Sequence, residues 1–126
     1  MLGSASVVAF VPSRSPQKAR SFYEDVLGLR FLSGDQFAHV FDANGVMVRV
    51  VDVSSVKGFT PAPFTIVGWS VDDIARTVKG LGKKGVQFER YPGMDQDQLG
   101  IWSSPSGAKI AWFKDPDGNV LSLSGD

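Results

Sequence analysis

Few side chains in this 126-residue sequence could transfer a proton or bind an anion or a metal ion. The chain has a single histidine, His39, and no cysteine. His39 could act as a general base or a metal ligand on the wall of a cleft, or it could be a strand residue hydrogen-bonded at the sheet surface. Arg49 could bind a carboxylate, phosphate or enolate oxygen through two parallel hydrogen bonds, or it could pair with a neighbouring acid or extend into solvent. We take both as candidate catalytic residues.

Aromatic and sulfur-containing side chains form a second group of candidates. A pocket for a planar ligand is mostly apolar with few polar groups, but core packing would explain most of these residues equally well. The group consists of Phe10, Trp69, Tyr91, Met94, Trp102 and Trp112. Met94 and Trp102 differ from the rest because they fall in a polar stretch near Gly100. We interpret these two as the wall or lid of a pocket.

The acidic residues Asp95 and Asp97 could be paired carboxylates for acid-base chemistry or ligands for a hard cation. Two carboxylates two residues apart in a polar loop are usually solvated, and the Gly-x-Glu sequence that completes a calcium loop does not follow them. The sequence also has no glycine-rich phosphate loop, nucleophile elbow or zinc-protease helix. These absences leave no standard catalytic motif.

Composition excludes several classes of partner. Thirteen basic residues balance thirteen acidic ones, so the positive charge that binds nucleic acid or an anionic membrane is missing. The absence of cysteine excludes disulfides, thiolate metal sites and a cysteine nucleophile. The first residues lack the pattern of a signal peptide, and no apolar run approaches 18 residues. We expect a soluble, cytoplasmic protein.

A repeated turn indicates how the candidate residues are positioned. An apolar run enters the turn Asp115-Pro116-Asp117-Gly118-Asn119 and alternating residues leave it, which predicts a β-hairpin. A similar pattern lies 73 residues earlier, with Asp42 aligned with Asp115, Gly45 with Gly118 and Arg49 with Ser122. Each copy is preceded by an apolar strand and an amphipathic helix. The repeat therefore predicts two copies of one supersecondary unit.

The first module is predicted over residues 5–53. An apolar strand spans 6–11, and a helix with Ser15 as its N-cap ends at Gly28. Strands follow at 30–33, 37–41 and 46–53. Residues 54–63 have no periodicity and are rich in Ser, Gly and Pro, which predicts a linker.

The second module is predicted over residues 64–126. It begins with a strand at 64–71 and a helix capped by Asp72 or Asp73, and a strand is expected at 86–91. A long loop at 92–105 has no counterpart in the first half, which makes it a place where specificity could arise. The two modules together predict a single α+β domain over 1–126, built from tandem βαβββ units.

These features resemble the vicinal oxygen chelate superfamily, which includes glyoxalases, extradiol dioxygenases and bleomycin resistance proteins. The resemblance rests on the Phe22-Tyr23…Leu27-Gly28 motif, on the strand-to-helix junction at 71–74 and on the turn at 115–119. It implies a cupped mixed sheet with helices on the outside and a ligand cleft within. It also implies a homodimer.

The resemblance further implies a divalent metal held by His, Gln or Glu on the first and last strands of each module. The corresponding positions here are Val8 and Arg49 in the first module, and Ile66 and Ser122 in the second. Their neighbours within two residues do not restore a ligand set; these are Ser6, Phe10, Phe64, Gly68, Val120 and Ser124. Aliphatic side chains offer no lone pair, arginine carries a permanent positive charge, and a lone hydroxyl is a poor metal ligand. We therefore predict neither a metal nor another cofactor.

The sequence thus predicts a metal-independent protein that binds a small aromatic or weakly anionic molecule in the cup. The expected ligand-binding residues are Val8, Phe10, Arg49, Ile66, Gly68, Tyr91, Met94, Trp102 and Ser122. The alternative is a glyoxalase-like enzyme of the lyase, isomerase or dioxygenase class, acting on an enolisable or vicinal-oxygen substrate through His39, Arg49 or a loop acid. A third possibility is a cup filled by side chains, in which case the protein is a structural or interaction partner.

Overall fold

The computed structural model describes residues 1–126. The chain divides into two compact units, Met1–Pro61 and Ala62–Asp126. Each unit contains one four-stranded mixed sheet and one α-helix, so the predicted α+β fold class is confirmed. None of the helices has the length and apolarity needed to cross a bilayer.

The first unit builds its sheet in the order β1-β4-β3-β2. Strands β1 and β4 run parallel, and the other neighbours run antiparallel. The parallel strands β1 and β4 need a crossover connection. The helix α1 is part of that connection and follows β1 in the chain. The elements are β1 Val8–Ser13, α1 Pro16–Ser21, β2 Arg30–Gly34, β3 Ala38–Ala43 and β4 Val46–Asp52.

The end of the first helix differs from the regular α-helix that the apolar stripe predicts. Residues Phe22–Val26 are π-helical, because the N–H of Leu27 donates to the carbonyl of Phe22, five residues earlier, at 2.9 Å. Tyr23 lies within this wider turn and is completely buried, with its ring centroid 6.0 Å from that of Phe41 on β3. The π-helical turn thus carries the main aromatic contact between helix and sheet.

The helix caps follow the sequence only in part. Ser15 occupies the predicted N-cap position of α1, with Pro16 as the first helical residue, but its side chain makes no capping bond. At the second helix the cap is Asp73 and not Asp72. The Asp73 carboxylate accepts from the backbone N–H of Arg76 at 3.1 Å and so satisfies a donor of the first turn.

The first sheet has two unlike faces. The face that packs on α1, which we call its closed face, carries the fully buried Val11, Phe41 and Val50. The opposite face, which we call its open face, carries the alternate residues of the same strands. These are Val8, Phe10, Ala38, Val40, Met47, Arg49 and Val51. Phe10 is 57% exposed, so this face is not filled by a core.

The second unit repeats this arrangement with the order β5-β8-β7-β6. Strands β5 and β8 are parallel, whereas β6, β7 and β8 are antiparallel neighbours. Leu121, Leu123 and Phe113 are buried on its closed face, and α2 contacts strands β7 and β8. The elements are β5 Thr65–Val71, α2 Ile74–Lys83, β6 Trp102–Ser103, β7 Lys109–Lys114 and β8 Val120–Gly125.

The strand predicted at 86–91 is wrong. Only Phe88 forms an isolated bridge, with Phe113, and the N–H of Glu89 donates to the carbonyl of Trp112 at 2.8 Å. The N–H of Tyr91 then bonds a side chain of the following loop, so the chain leaves the sheet. The outer strand of this sheet is instead β6, which lies inside the stretch predicted as a loop.

Candidate ligand-binding site

Arg49 lies at the centre of the open face of the first sheet. It is the ladder partner of Phe10 on β1 and of Val40 on β3. Its guanidinium carbon is 5.4 Å from the Phe10 ring centroid, and its Nη2 lies 3.5 Å from the sulfur of Met47. No ion pair involves it. Arg49 therefore does not pair with an acid. Its half-buried guanidinium lies among apolar side chains.

A groove of about 450 Å³ runs along the same face beside Arg49. Its apolar lining includes Phe37, Val40 and Val51. At one end stands Asp35, whose carboxylate accepts from the N–H groups of Phe37 at 2.8 Å and Ala38 at 2.9 Å. These two hydrogen bonds lower the pKa of Asp35, so the carboxylate is ionised at neutral pH.

His39 lies on the closed face of the first sheet, opposite to Arg49. Its ladder partner is Val50, which is completely buried, and its ring centroid is 5.8 Å from that of Phe31. The Nδ1 atom is buried without a hydrogen-bond partner. The structure thus does not bring the two candidate catalytic residues together.

A row of three residues crosses the open face of the second sheet at the level that corresponds to Arg49. Gly68 on β5 pairs with Ser122 on β8, and Ser122 pairs with Trp112 on β7. A Cβ atom at Gly68 would lie only 2.9 Å from the Ser122 hydroxyl. Because Gly68 has no side chain, the sheet surface formed by Gly68 and Ser122 is shallow next to the Trp112 ring. We call these two residues the floor of this face.

Three aromatic rings stand beside this floor, and we call them the aromatic cluster: Tyr91, Trp102 and Trp112. The centroids of Tyr91 and Trp112 are 5.5 Å apart with the rings nearly perpendicular, and those of Trp102 and Trp112 are 6.1 Å apart. All three residues are half-buried. Burial, and to a smaller extent the charge of Glu89, raises the pKa of Tyr91. Its phenol is therefore protonated at neutral pH and can donate a hydrogen bond.

Gln96 fixes the loop that carries Tyr91. Its Oε1 accepts from the N–H of Tyr91 at 2.8 Å, and its Nε2 donates to the carbonyls of Glu89 at 2.9 Å and Gly100 at 2.8 Å. Sequence reasoning missed this residue, because a glutamine in a polar loop carries no signal of the backbone groups that it will meet.

The other loop candidates have different roles. Asp97 does not form a carboxylate pair with Asp95, because its Oδ1 accepts from the N–H groups of Leu99 and Ile101, both at 2.9 Å. Met94 closes a turn on Tyr91, since its N–H donates to the Tyr91 carbonyl at 3.2 Å. Asp97 thus stabilises the loop in the same way that a turn-forming aspartate does.

Two further candidates lie on the first strand of each sheet. Val8 pairs with Met47 at the start of β1 and is 36% exposed. Ile66 falls at an irregularity in the pairing of β5 with β8, between Thr65 and Val67, and has no ladder partner. The first-strand residue that pairs with Arg49 is therefore Phe10, and the one that pairs with Ser122 is Gly68.

The residues at the metal positions of the resembled family do not fit a divalent cation. The first sheet offers an aliphatic side chain and a guanidinium, and the second offers an aliphatic side chain and one hydroxyl, at Val8, Arg49, Ile66 and Ser122. A guanidinium repels a cation and a single hydroxyl is a poor ligand for one. Nowhere in the chain do three or more His, Cys, Asp or Glu residues form a group that could hold a metal ion.

Comparison with solved structures defines the class of fold. A glyoxalase/bleomycin resistance protein/dioxygenase superfamily member from Sphaerobacter thermophilus is 22% identical, with a TM-score of 0.75 over all of both chains. Lactoylglutathione lyase from Agrobacterium tumefaciens is 16% identical, with a TM-score of 0.73 over 97% of this chain and 93% of that chain. TnmS3, an antibiotic binding protein from Streptomyces sp. CB03234, is 21% identical, with a TM-score of 0.71 over 99% of this chain and 98% of that chain.

The model of the Glyoxalase/Bleomycin resistance protein/Dioxygenase superfamily matches residues 5–123. The chain belongs to this superfamily, which confirms the resemblance inferred from its motifs. A search among curated proteins gave no match. The structural neighbours include both a lyase and an antibiotic binding protein, so the fold by itself does not select an activity.

Proposed function

We propose that this protein binds a small aromatic or weakly anionic molecule without a metal ion. The observation that carries the proposal is the aromatic cluster of Tyr91, Trp102 and Trp112 on the open face of the second sheet. Half-buried aromatic rings grouped on a sheet face that no helix covers provide a stacking surface for a planar ligand.

The floor beside the cluster supports the same conclusion. Gly68 and Ser122 keep the sheet surface low next to Trp112, so a flat molecule can approach the ring without meeting a bulky side chain. The Ser122 hydroxyl and the protonated Tyr91 phenol can each supply a hydrogen bond. A few polar groups beside apolar surface are typical of small-molecule sites.

We infer metal independence from the side chains at the four positions where the superfamily holds its metal ion. A catalytic metal site generally uses about three protein ligands, and the side chains at Val8, Arg49, Ile66 and Ser122 supply one hydroxyl between them. One structural neighbour is an antibiotic binding protein, and binding without chemistry is the activity that the present residues can perform.

The assembly and extent of the protein form part of the proposal. We expect one domain over 1–126, with modules at 5–53 and 64–126, acting as a cytoplasmic homodimer. The exposed apolar residues Phe10 and Phe64, at 57% and 65%, are consistent with surface that a second copy covers. Light scattering coupled to size-exclusion chromatography should give twice the mass of the 13.6 kDa chain.

A fluorescence titration with quinoline, a neutral planar probe, tests the binding function. We expect quenching of tryptophan emission in the unmodified protein, with an affinity that neither EDTA nor added divalent ions change. Trp112→Leu should weaken binding by tenfold or more, since stacking on one ring contributes about 1 kcal/mol and area burial adds to it. Trp69→Phe is the matched control, because Trp69 pairs with Leu123 on the closed face. Equal binding by both variants would overturn the proposal.

A further inference from the structure

We infer that the groove on the open face of the first sheet is a second binding surface, which takes the carboxylate of a small molecule with an apolar body. Arg49 binds the carboxylate, and the side chains of Phe37, Val40 and Val51 contact the apolar part. This inference goes beyond the proposed function, because it assigns a ligand chemistry to a unit that the aromatic cluster does not include.

Arg49 has hydrogen-bonding capacity that the protein does not use. A guanidinium has five N–H donors in a planar fork. The protein engages one of them, through a weak bond of 3.5 Å to the sulfur of Met47, while the Phe10 ring lies 5.4 Å from the guanidinium carbon. The half-buried fork therefore has donors free for an oxyanion, which a guanidinium binds with two parallel hydrogen bonds.

Asp35 and Arg49 are the only charged residues that line the groove. The ionised Asp35 repels a phosphate dianion more strongly than a carboxylate monoanion, and the single guanidinium can neutralise only the monoanion. Charge complementarity therefore favours a carboxylate over a phosphate.

The groove measures about 450 Å³, which is within the range of sites for small organic molecules. Phe37 is 67% exposed at its edge, and Val40 and Val51 lie along its floor. A molecule with one ring and a short acidic chain would bury its ring on these residues while its carboxylate reached Arg49.

Phenylacetate and its neutral isostere phenylacetamide provide the test on the unmodified protein. In ¹H–¹⁵N NMR titrations, phenylacetate should shift the Arg49 Nε–H signal and the amides of Val40 and Val51. Phenylacetamide should bind at least about tenfold more weakly, because a charge-assisted pair of hydrogen bonds is lost. Equal affinities, or shifts confined to the aromatic cluster, would overturn the inference.

Variants and a competing anion sharpen the test. Arg49→Met should reduce phenylacetate affinity about tenfold or more, Arg49→Lys should retain part of it, and Arg30→Gln, at an exposed arginine on β2, should leave it unchanged. Inorganic phosphate should not displace phenylacetate; displacement would contradict the charge argument. Quinoline binding is measured separately, by tryptophan quenching in the unmodified protein, so failure here and failure of the proposed function are distinguishable.

Discussion

The backbone N–H of Tyr91 donates to Oε1 of Gln96 at 2.8 Å. This bond, with the two that Nε2 donates to the carbonyls of Glu89 and Gly100, places one amide side chain at the centre of the loop. Tyr91 then lies with its ring centroid 5.5 Å from that of Trp112. The position of an aromatic ring on the sheet is therefore determined by a polar residue five positions further along the chain.

Replacing Gln96 by leucine should disorder the aromatic cluster. The variant loses three hydrogen bonds and leaves two carbonyls and the N–H of Tyr91 without a partner, so we expect about 2–3 kcal/mol less free energy of unfolding. The near-ultraviolet circular dichroism of the tryptophans should fall, and quinoline affinity should fall with it. Gln98→Leu is the control, since Gln98 is exposed and only its carbonyl is bonded. A native aromatic spectrum in Gln96→Leu would contradict this prediction.

Replacing Gly68 by valine should fill the floor beside Trp112. The new Cβ would lie 2.9 Å from the Ser122 hydroxyl, which would have to rotate away. We expect quinoline affinity to fall by tenfold or more while the free energy of unfolding changes by less than about 1 kcal/mol, because valine suits a strand. Ser70→Val, two residues further along β5 on the same face, should keep its affinity. Unaltered binding by Gly68→Val would place the ligand elsewhere.

Replacing His39 by phenylalanine should maintain or increase stability. The Nδ1 atom is buried without a partner, and an apolar ring of similar shape removes the cost of desolvating it, which we put at about 1 kcal/mol. Urea unfolding measures the change, with Phe41→Ala on the same face as a reference that should lose about 3–5 kcal/mol. If His39→Phe loses more than about 1 kcal/mol, Nδ1 has a polar role that the structure does not show.

The two repeated turns should differ in strength. Asp115 is buried and accepts three hydrogen bonds, from the N–H groups of Asp117 and Asn119 and from the Asn119 side chain, all at 2.9 Å. Asp42 accepts one hydrogen bond, from the N–H of Gly45 at 3.1 Å. Asp115→Ala should therefore cost about 3 kcal/mol of unfolding free energy and Asp42→Ala about 1 kcal/mol or less. Equal losses in urea titrations would refute the comparison.

Acid should weaken the first unit through Asp35 and Asp52. Hydrogen bonds from the N–H groups of Phe37 and Ala38 lower the pKa of Asp35, and those from the hydroxyl and N–H of Ser54 lower the pKa of Asp52, both from 3.8. A carboxyl whose pKa is lowered by folding contributes stability above its unfolded pKa and loses it as the pH falls through the folded one.

Carboxyl ¹³C titration should give both groups pKa values below 3.8. Asp35→Asn provides the control. The stability advantage of the natural protein over this variant should be present at neutral pH and should disappear as the pH falls through the pKa of Asp35 in the folded protein. An advantage that stays constant down to pH 2 would show that Asp35 does not contribute through its charge.

The local sequence determined most of the secondary structure. Helical spacing in the first helix, the Asp73 cap and the turns at Asp42 and Asp115 are signals carried by a few neighbouring residues, and each element lies where these signals predict it. The motifs also predicted the superfamily, which the match over 5–123 confirms. These features depend on bonds between residues at most a few positions apart, so the sequence alone is sufficient to reveal them.

Only the tertiary structure decided which faces the key side chains occupy. The alternation of residues in β3 places His39 and Val40 on opposite faces, but pairing with β4 and packing against α1 determine that His39 is the one on the closed face. The stretch at 86–91 alternates like a strand, yet Trp102–Ser103 takes the outer position because Gln96 and Arg90 bond the loop backbone. The face that a strand buries and its place in the sheet depend on which distant segments pack against it. A periodic sequence pattern does not identify those segments.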